Sequence, residues 1–301
     1  TTKRGAEGKA KVKITSNYGW QNFTTTPEML RGEEYMDLVN LLNVYKLPVG
    51  EWASANAVRG QPFTRPNGEV LNPTYPTDRI ENTRAGDDPW LYPNTDWMEA
   101  VQRRNAPTTR QNVQGTGGDE NVKYLASAGY LRQDVNFKNA PKGFTQYDLR
   151  LNLDAKINDF LSLDIGLYSR QEENLTSTNA PAGIFNDLVR HYPWFPAYWP
   201  TGEYGPDIEN GNNPAIRVTD EPGYNERSTN FVQSNIGLNF KVPGVEGLLL
   251  RGNISYDKMN FDQKVWQRPW ELYTWDGVNR DSSGLTASQR GPGDPSLQQD
   301  H

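Results

Sequence analysis

The sequence predicts an all-β chain, part of a transmembrane antiparallel β-barrel, on three observations. Apolar and polar residues alternate over several long stretches. The connections between those stretches alternate between short and long. No apolar run approaches the about 18 residues that a membrane helix needs, whereas a barrel wall needs an apolar residue only at every second position.

Composition agrees. Gly, Pro, Asn and aromatic residues are abundant, which suits strands with long ordered loops better than a disordered chain. The 31 basic and 37 acidic residues leave a net charge of −6 and no basic block, so nucleic acid is not an expected partner. Cysteine is absent, which removes disulfides, thiol catalysis and Cys-ligated metals together. The chain starts without Met, carries no signal peptide and ends in a loop-like "SLQQDH", and so reads as an internal piece of a longer protein.

The elements follow in order. In "GKAKVKITSNYGW", Ala10, Val12, Ile14, Tyr18 and Trp20 share one face and Lys9, Lys11, Lys13, Thr15 and Asn17 the other. Its aromatics lie at one end, where a membrane interface would want them. A loop is expected from about 23 to 107. Inside it, "GEEYMDLVNLLN" predicts a helix with Gly32 as N-cap and a stripe of Tyr35, Leu38, Val39 and Leu42. "NTDWMEAVQR" predicts a second helix, capped by Asn94 or Thr95, with Trp97 and Val101 on one side.

A weaker strand, "TRQNVQG", leads to Gly115. "VKYLASAGYL" then places Val122, Tyr124, Ala126, Ala128 and Tyr130 on one face. "YDLRLNLDA" alternates most cleanly, with Tyr147, Leu149, Leu151 and Leu153 against Asp148, Arg150, Asn152 and Asp154. "LSLDIGLY" sets Leu161, Leu163, Ile165 and Leu167 against Ser162, Asp164 and Gly166. After a second loop, at about 172–227, come "VQSNIGLNF" (Val232, Ile236, Leu238, Phe240) and "LLRGNISYD" (Leu250, Ile254, Tyr256 against Arg251). The stretch 262–301 reads as a third long loop. That makes roughly seven strands.

The turns "GTGGDEN", "KINDF" and "VPGVEG" fall on one side of this meander, and every longer connection on the other. Outer-membrane barrels have that asymmetry. A soluble sandwich also alternates inside and outside, but its strands run about 5–6 residues and nothing sorts its loops by side.

Candidate sites are few. His191 and His301 are far apart in sequence, so a His-based metal site is not expected, and no other metal or cofactor is. The adjacent carboxylates of "GDDPW" and Glu172–Glu173 lack the spacing of a catalytic pair facing a bond, "GTGG" lacks the Lys-Ser/Thr of a phosphate loop, and "DGVNRDSSG" lacks EF-hand spacing. No enzymatic activity is expected. The best ligand candidate is "HYPWFPAYWPTGEYG", with Tyr192, Trp194, Phe195, Tyr198, Trp199 and Tyr204, followed by Trp90 and Tyr92 of "DDPWLYPNTDW". Rigid aromatics suit stacking on sugar rings or peptide side chains, but a long loop also needs a core of its own, and both readings stay open. The charges Lys9, Lys11, Lys13, Asp148, Arg150, Asp154, Asp164 and Arg251 are expected inside the barrel, where they would meet a plug or line a path.

Several stretches in one order resemble the SusC/RagA family of TonB-dependent outer-membrane transporters. They are "TTKRG" (Thr1–Gly5), the Lys-rich strand ending in "YGW", "TPEMLRGEEYMDLVN" (Thr26–Asn40), "NTDW", "GDENVKYLASAGYLRQDVNFKN" (Gly118–Asn139) and the hairpin Tyr147–Leu167. Beyond about Leu167 only the strand rhythm continues. The resemblance implies residues 1–7 as the end of a plug domain and 8–301 as the first part of a plugged barrel of about 22 strands. It further implies nutrient uptake in the outer membrane of Bacteroidota: import of oligosaccharides or peptides, with a SusD-like surface lipoprotein as lid and TonB as energy source through the plug. The competing readings are a non-transport barrel, such as an adhesin or structural barrel, and a soluble β-rich carbohydrate-binding module.

Overall fold

A computed structural model describes residues 4–300; Thr1–Lys3 of the opening motif, and His301, lie outside the described residues. The chain begins with β1 (Gly8–Gln21). A long connection carries α1 (Gly32–Val44), α2 (Trp52–Ala57), the hairpin β2 (Phe63–Thr64) and β3 (Val70–Leu71), α3 (Thr77–Ala85) and α4 (Trp97–Val101). Then come β4 (Ala106–Gly118), β5 (Val122–Gln133), β6 (Gly143–Lys156) and β7 (Leu161–Ser177). The next connection holds α5 (Pro181–Arg190) and α6 (Pro214–Arg217) and leads to β8 (Gly223–Lys241) and β9 (Leu249–Gln267). A hairpin of β10 (Trp270–Trp275) and β11 (Leu285–Arg290) precedes β12 (Ser296–Asp300).

Eight of these strands form one antiparallel sheet in the order β1-β4-β5-β6-β7-β8-β9-β12. The roughly seven strands read from sequence therefore fall one short. The eighth strand and the β10–β11 hairpin both lie in 262–301, a stretch that sequence reasoning left as loop. β7 and β8 also run further than expected, so their connection is confined to 178–222. Their added residues are mostly polar, with no apolar alternation, yet pair in register, Glu172 with Thr229 and Glu173 with Ser228. Beyond the height of a lipid band a strand has no need of apolar alternation, so the pattern stops before the strand does.

Register decides what the alternation builds. Residues directly opposite each other share a face. Ile14 meets Val113, Val113 meets Ala128, and Ala128 meets Leu149. Leu153 meets Ile165, Ile165 meets Ile236, and Ile236 meets Ile254. One apolar face thus runs from β1 to β9. No second layer seals it: Ile14, Leu149 and Ile254 are 73%, 60% and 74% exposed. On β6 it extends from Tyr147 to Ala155, about 27 Å at about 3.4 Å per residue, close to the roughly 25 Å apolar band of a barrel wall. Tyr18, Trp20, Tyr130 and Tyr147 lie toward its long-loop end, and Phe160 and Phe240 at its short-turn end.

The short turns close through side chains. Asp119 Oδ1 accepts the N–H groups of Asn121 (2.8 Å) and Val122 (2.7 Å). Asn158 Oδ1 accepts those of Phe160 (2.9 Å) and Leu161 (2.8 Å).

The packed core is not in the sheet but at its long-loop end. Trp97, Met98 and Val101 of α4 bury against Ile184 and Leu188 of α5, Ala215 of α6, Val218, and Phe137 from the connection 134–142. Both helices expected from the sequence are present as α1 and α4, with corrections in detail. Asp96, not Asn94 or Thr95, caps α4, its Oδ1 accepting Glu99 N–H at 2.9 Å. Arg31 is the N-cap of α1 and Gly32 its first residue. The stripe that α1 buries is Met36, Asn40 and Val44; Leu38 and Leu42 stay exposed. Asn40 can be buried because its side-chain amide bonds the Tyr75 backbone there.

Candidate functional site

The polar face is the first half of the site. Lys11, Lys13, Asp148, Arg150, Asp154, Asp164 and Arg251 all lie opposite the apolar face by register. Lys9 falls in a bulge between Gly8 and Lys11, so the ladder gives it no side. Several of the charges on this face are held in contacts. Arg150 lies over the Tyr168 ring (4.9 Å) and Arg170 over Phe231 (4.6 Å). Arg251 Nε donates to Asn239 Oδ1 (2.6 Å), whose amide reaches Asp164.

Asp154 and Asp164 are directly opposite in the β6–β7 ladder, a like-charge placement that repels. Arg4 resolves it, pairing with Asp154 and lying 3.6 Å from Asp164. The chain entering β1 is pressed against the same face: a Cβ on Gly5 would lie 2.4 Å from the Tyr124 backbone nitrogen. Opposite Asp164 stands Gly237, where a Cβ would meet the carboxylate at 2.4 Å. The polar face therefore clasps residues 4 and 5 at its short-turn end.

The loop aromatics are the second half, and they separate into two groups. Trp90 and Trp199 are buried, at 7% and 6% exposure, and stack at 5.2 Å. Trp275 closes on both, and Trp199 Nε1 donates to the Tyr273 carbonyl (2.9 Å). The three tryptophans join the connections 22–105, 178–222 and 268–295, as do the ion pair Arg280–Asp88 (2.6 Å) and the bond from Ser282 to Glu203 (2.9 Å). Phe195 and Tyr204 pack on the rim core, Tyr198 lies 5.2 Å from Tyr204, and Tyr92 is half-buried, its N–H bonded to Asp88. Of the aromatics read as ligand candidates, Trp90 and Trp199 hold loops together.

Trp194 and Tyr192 differ. Their rings stack at 4.6 Å and 8°, and Trp194 also meets Tyr35 of α1 (5.0 Å) and Tyr75 (5.7 Å). Sequence reasoning placed Tyr35 in a packing stripe and passed over Tyr75, whose one signal was its place between prolines in "NPTYPT". Tyr75 is fixed by Asn40: its N–H donates to Asn40 Oδ1 (3.1 Å), and Asn40 Nδ2 donates to its carbonyl (2.6 Å). Beside this platform lies a cavity of about 860 Å³, between the stretch 26–31, α4 and the end of α5. Tyr35 and Tyr192 line it, with charges of both signs that include Glu28, Arg31, Glu99 and Arg104.

His191 forms the floor. Its ring stacks on Trp97 at 4.1 Å, is buried, and has no hydrogen-bond partner at either nitrogen. Burial drives its pKa down to about 4, only partly opposed by Asp207. The folded pKa lies below the ordinary value, so the unfolded form binds the proton more tightly. The associated stability is full above about pH 6.5 and is lost as pH falls toward 4, by about 3 kcal/mol in total. Hydrogen exchange in α4 and α5 of the full-length protein is expected to quicken over that interval, and His191→Phe to flatten the dependence. An unchanged profile in that variant would assign the effect elsewhere. Among the described residues, no group of three or more His, Asp or Glu is placed to hold a metal ion.

No family model matches the chain. The TonB-dependent receptor P26 of Formosa agariphila is 30% identical over 120 residues, which is 39% of this chain and 11% of that one. Among solved structures, the RagAB peptide transporter superposes with a TM-score of 0.59 at 16% identity, covering 89% of this chain and 30% of its own. The RagAB peptide importer in its open-open state gives 0.60 at 17%, again over 89% and 30%. At such identities the superposition speaks for the fold, and the chain spans under a third of those chains. The sequence match thus covers a small part of a TonB-dependent receptor, and the fold shared with the RagAB structures is that of a segment of barrel wall.

Proposed function

We propose that this SusC/RagA-like segment forms the first part of the wall of a plugged barrel that imports oligosaccharides or peptides across the bacterial outer membrane. In this reading residues 1–7 end the plug, 8–301 begin the barrel, and a SusD-like lipoprotein closes over the rim while TonB pulls on the plug. The observation that carries it is the register: a single, mainly apolar face that runs across the sheet, with every folded loop at one end of it. A soluble binding module would cover that face. The Arg4 clasp supports a plug entering on the polar side, so the charges on that face line the lumen. Ligand would settle on the loops, and withdrawal of the plug would open a polar path past Lys11, Lys13, Asp148 and Arg150.

Trp194 is the wall's stacking surface in this scheme. Trp194→Ala in the full-length transporter is expected to reduce uptake about two- to tenfold, since one aromatic stacking contact is worth about 0.5–1.5 kcal/mol beyond its buried area. The yield of folded barrel should not change, because Trp194 is only half-buried and stands in the loops, outside the sheet. Yield falling in step with uptake would reassign Trp194 to packing.

A further inference from the structure

Three tyrosine rings and an indole converge at the rim, and a guanidinium stands one turn along the chain from one of them. Tyr35, Tyr75 and Tyr192 surround Trp194 with ring centroids 4.6–5.7 Å from it. Arg79 lies on α3, one turn after Tyr75, and its Nε is buried with no partner. Burial raises the Tyr75 pKa, the Tyr35 and Tyr192 hydroxyls raise it further, and the Arg79 charge opposes them, as expected of groups lying together. Asn40 fixes the Tyr75 backbone from α1, so the arrangement is set before any ligand arrives.

A buried guanidinium N–H left unmade is costly, and such groups are usually matched. The guanidinium can only donate, and its complement is an anionic oxygen, carboxylate above all. The rings favour a flat apolar body next to that oxygen.

We propose that Trp194, Tyr35, Tyr75, Tyr192 and Arg79 form a subsite for a carboxylate carried beside a flat apolar face, with Arg79 as the residue that selects the charge. Two sources share that chemistry: the acid group of a uronic sugar and the C-terminal carboxylate of a peptide. The subsite rests on the uptake reading for its biological use, but binding can be measured without transport.

The test uses the full-length transporter in detergent and two matched probe pairs. One pair is tetragalacturonate and its methyl ester; the other is a pentapeptide ending in Phe, with a free or an amidated C-terminus. In at least one pair the acid form should bind about tenfold more tightly or better, the range of a charge-assisted hydrogen bond. Arg79→Gln should close that gap, and the pair that responds identifies the source. Tyr75→Phe, which keeps the ring packing, should weaken the acid form alone and guards against a folding artefact. No preference for the acid in either pair, or a preference that survives Arg79→Gln, overturns the subsite. Uptake that fails in cells while the acid preference persists would instead count against the transport reading.

Discussion

Leu151→Arg in the full-length chain is expected to collapse the yield of folded barrel, while Asn152→Arg, one residue along, leaves it nearly unchanged. Leu151 stands midway along the Tyr147–Ala155 row, opposite Ala126 and Leu167 on the apolar face. At the bilayer midplane a lipid-facing Arg costs about 2–4 kcal/mol, which shifts the folded fraction by about thirtyfold or more. Asn152 belongs to the other face, opposite Leu125 and Gly166 and between Arg150 and Asp154, where a guanidinium can reach the Asp154 carboxylate and does not enter lipid. The shift of unheated barrel on a denaturing gel reads the outcome. Equal loss in both variants, or in neither, would mean that lipid does not cover the leucine-bearing side.

That asymmetry was readable in the amino-acid order because two solvents act on two faces. A strand inside a lipid band must present Leu149, Leu151 and Leu153 to one side, and the period of two follows. Once β7 and β8 leave the band, the constraint lapses, and Glu172, Glu173 and their partners carry no mark of the pairing they make. β12 was invisible for the same reason: "SLQQD" is held by its register with Gln263–Gln267, not by a pattern of its own. The rim was legible only as a concentration of aromatics. Which rings face a ligand depends on contacts between connections far apart in sequence, Trp90 with Trp275 or Tyr35 with Trp194. No local spacing encodes those meetings, so Trp199 and Trp194 looked equivalent, and Arg79 showed nothing until its unpartnered nitrogen appeared beside Tyr75.

Trp199→Ala separates these roles, and its effect is expected to be large but confined to the rim. The side chain is buried, stacks on Trp90, touches Trp275 and donates to the Tyr273 carbonyl. Removing a buried Trp costs about 3–5 kcal/mol, here from the joint between three connections and not from the sheet. Hydrogen exchange and proteolysis should therefore rise in 85–95, 197–205 and 268–295 together, with the barrel's gel shift intact. Trp199→Phe, which keeps a ring against Trp90, should recover much of the protection. Ligand binding should weaken through loss of order, since a preformed rim spares the entropy of assembling the Trp194 platform at each capture. Trp194→Ala should do the reverse, weakening binding with the three segments still protected. If Trp199→Ala abolished binding while those segments stayed protected, Trp199 would be a ligand contact, and the division of the rim rings into joint and platform would fail.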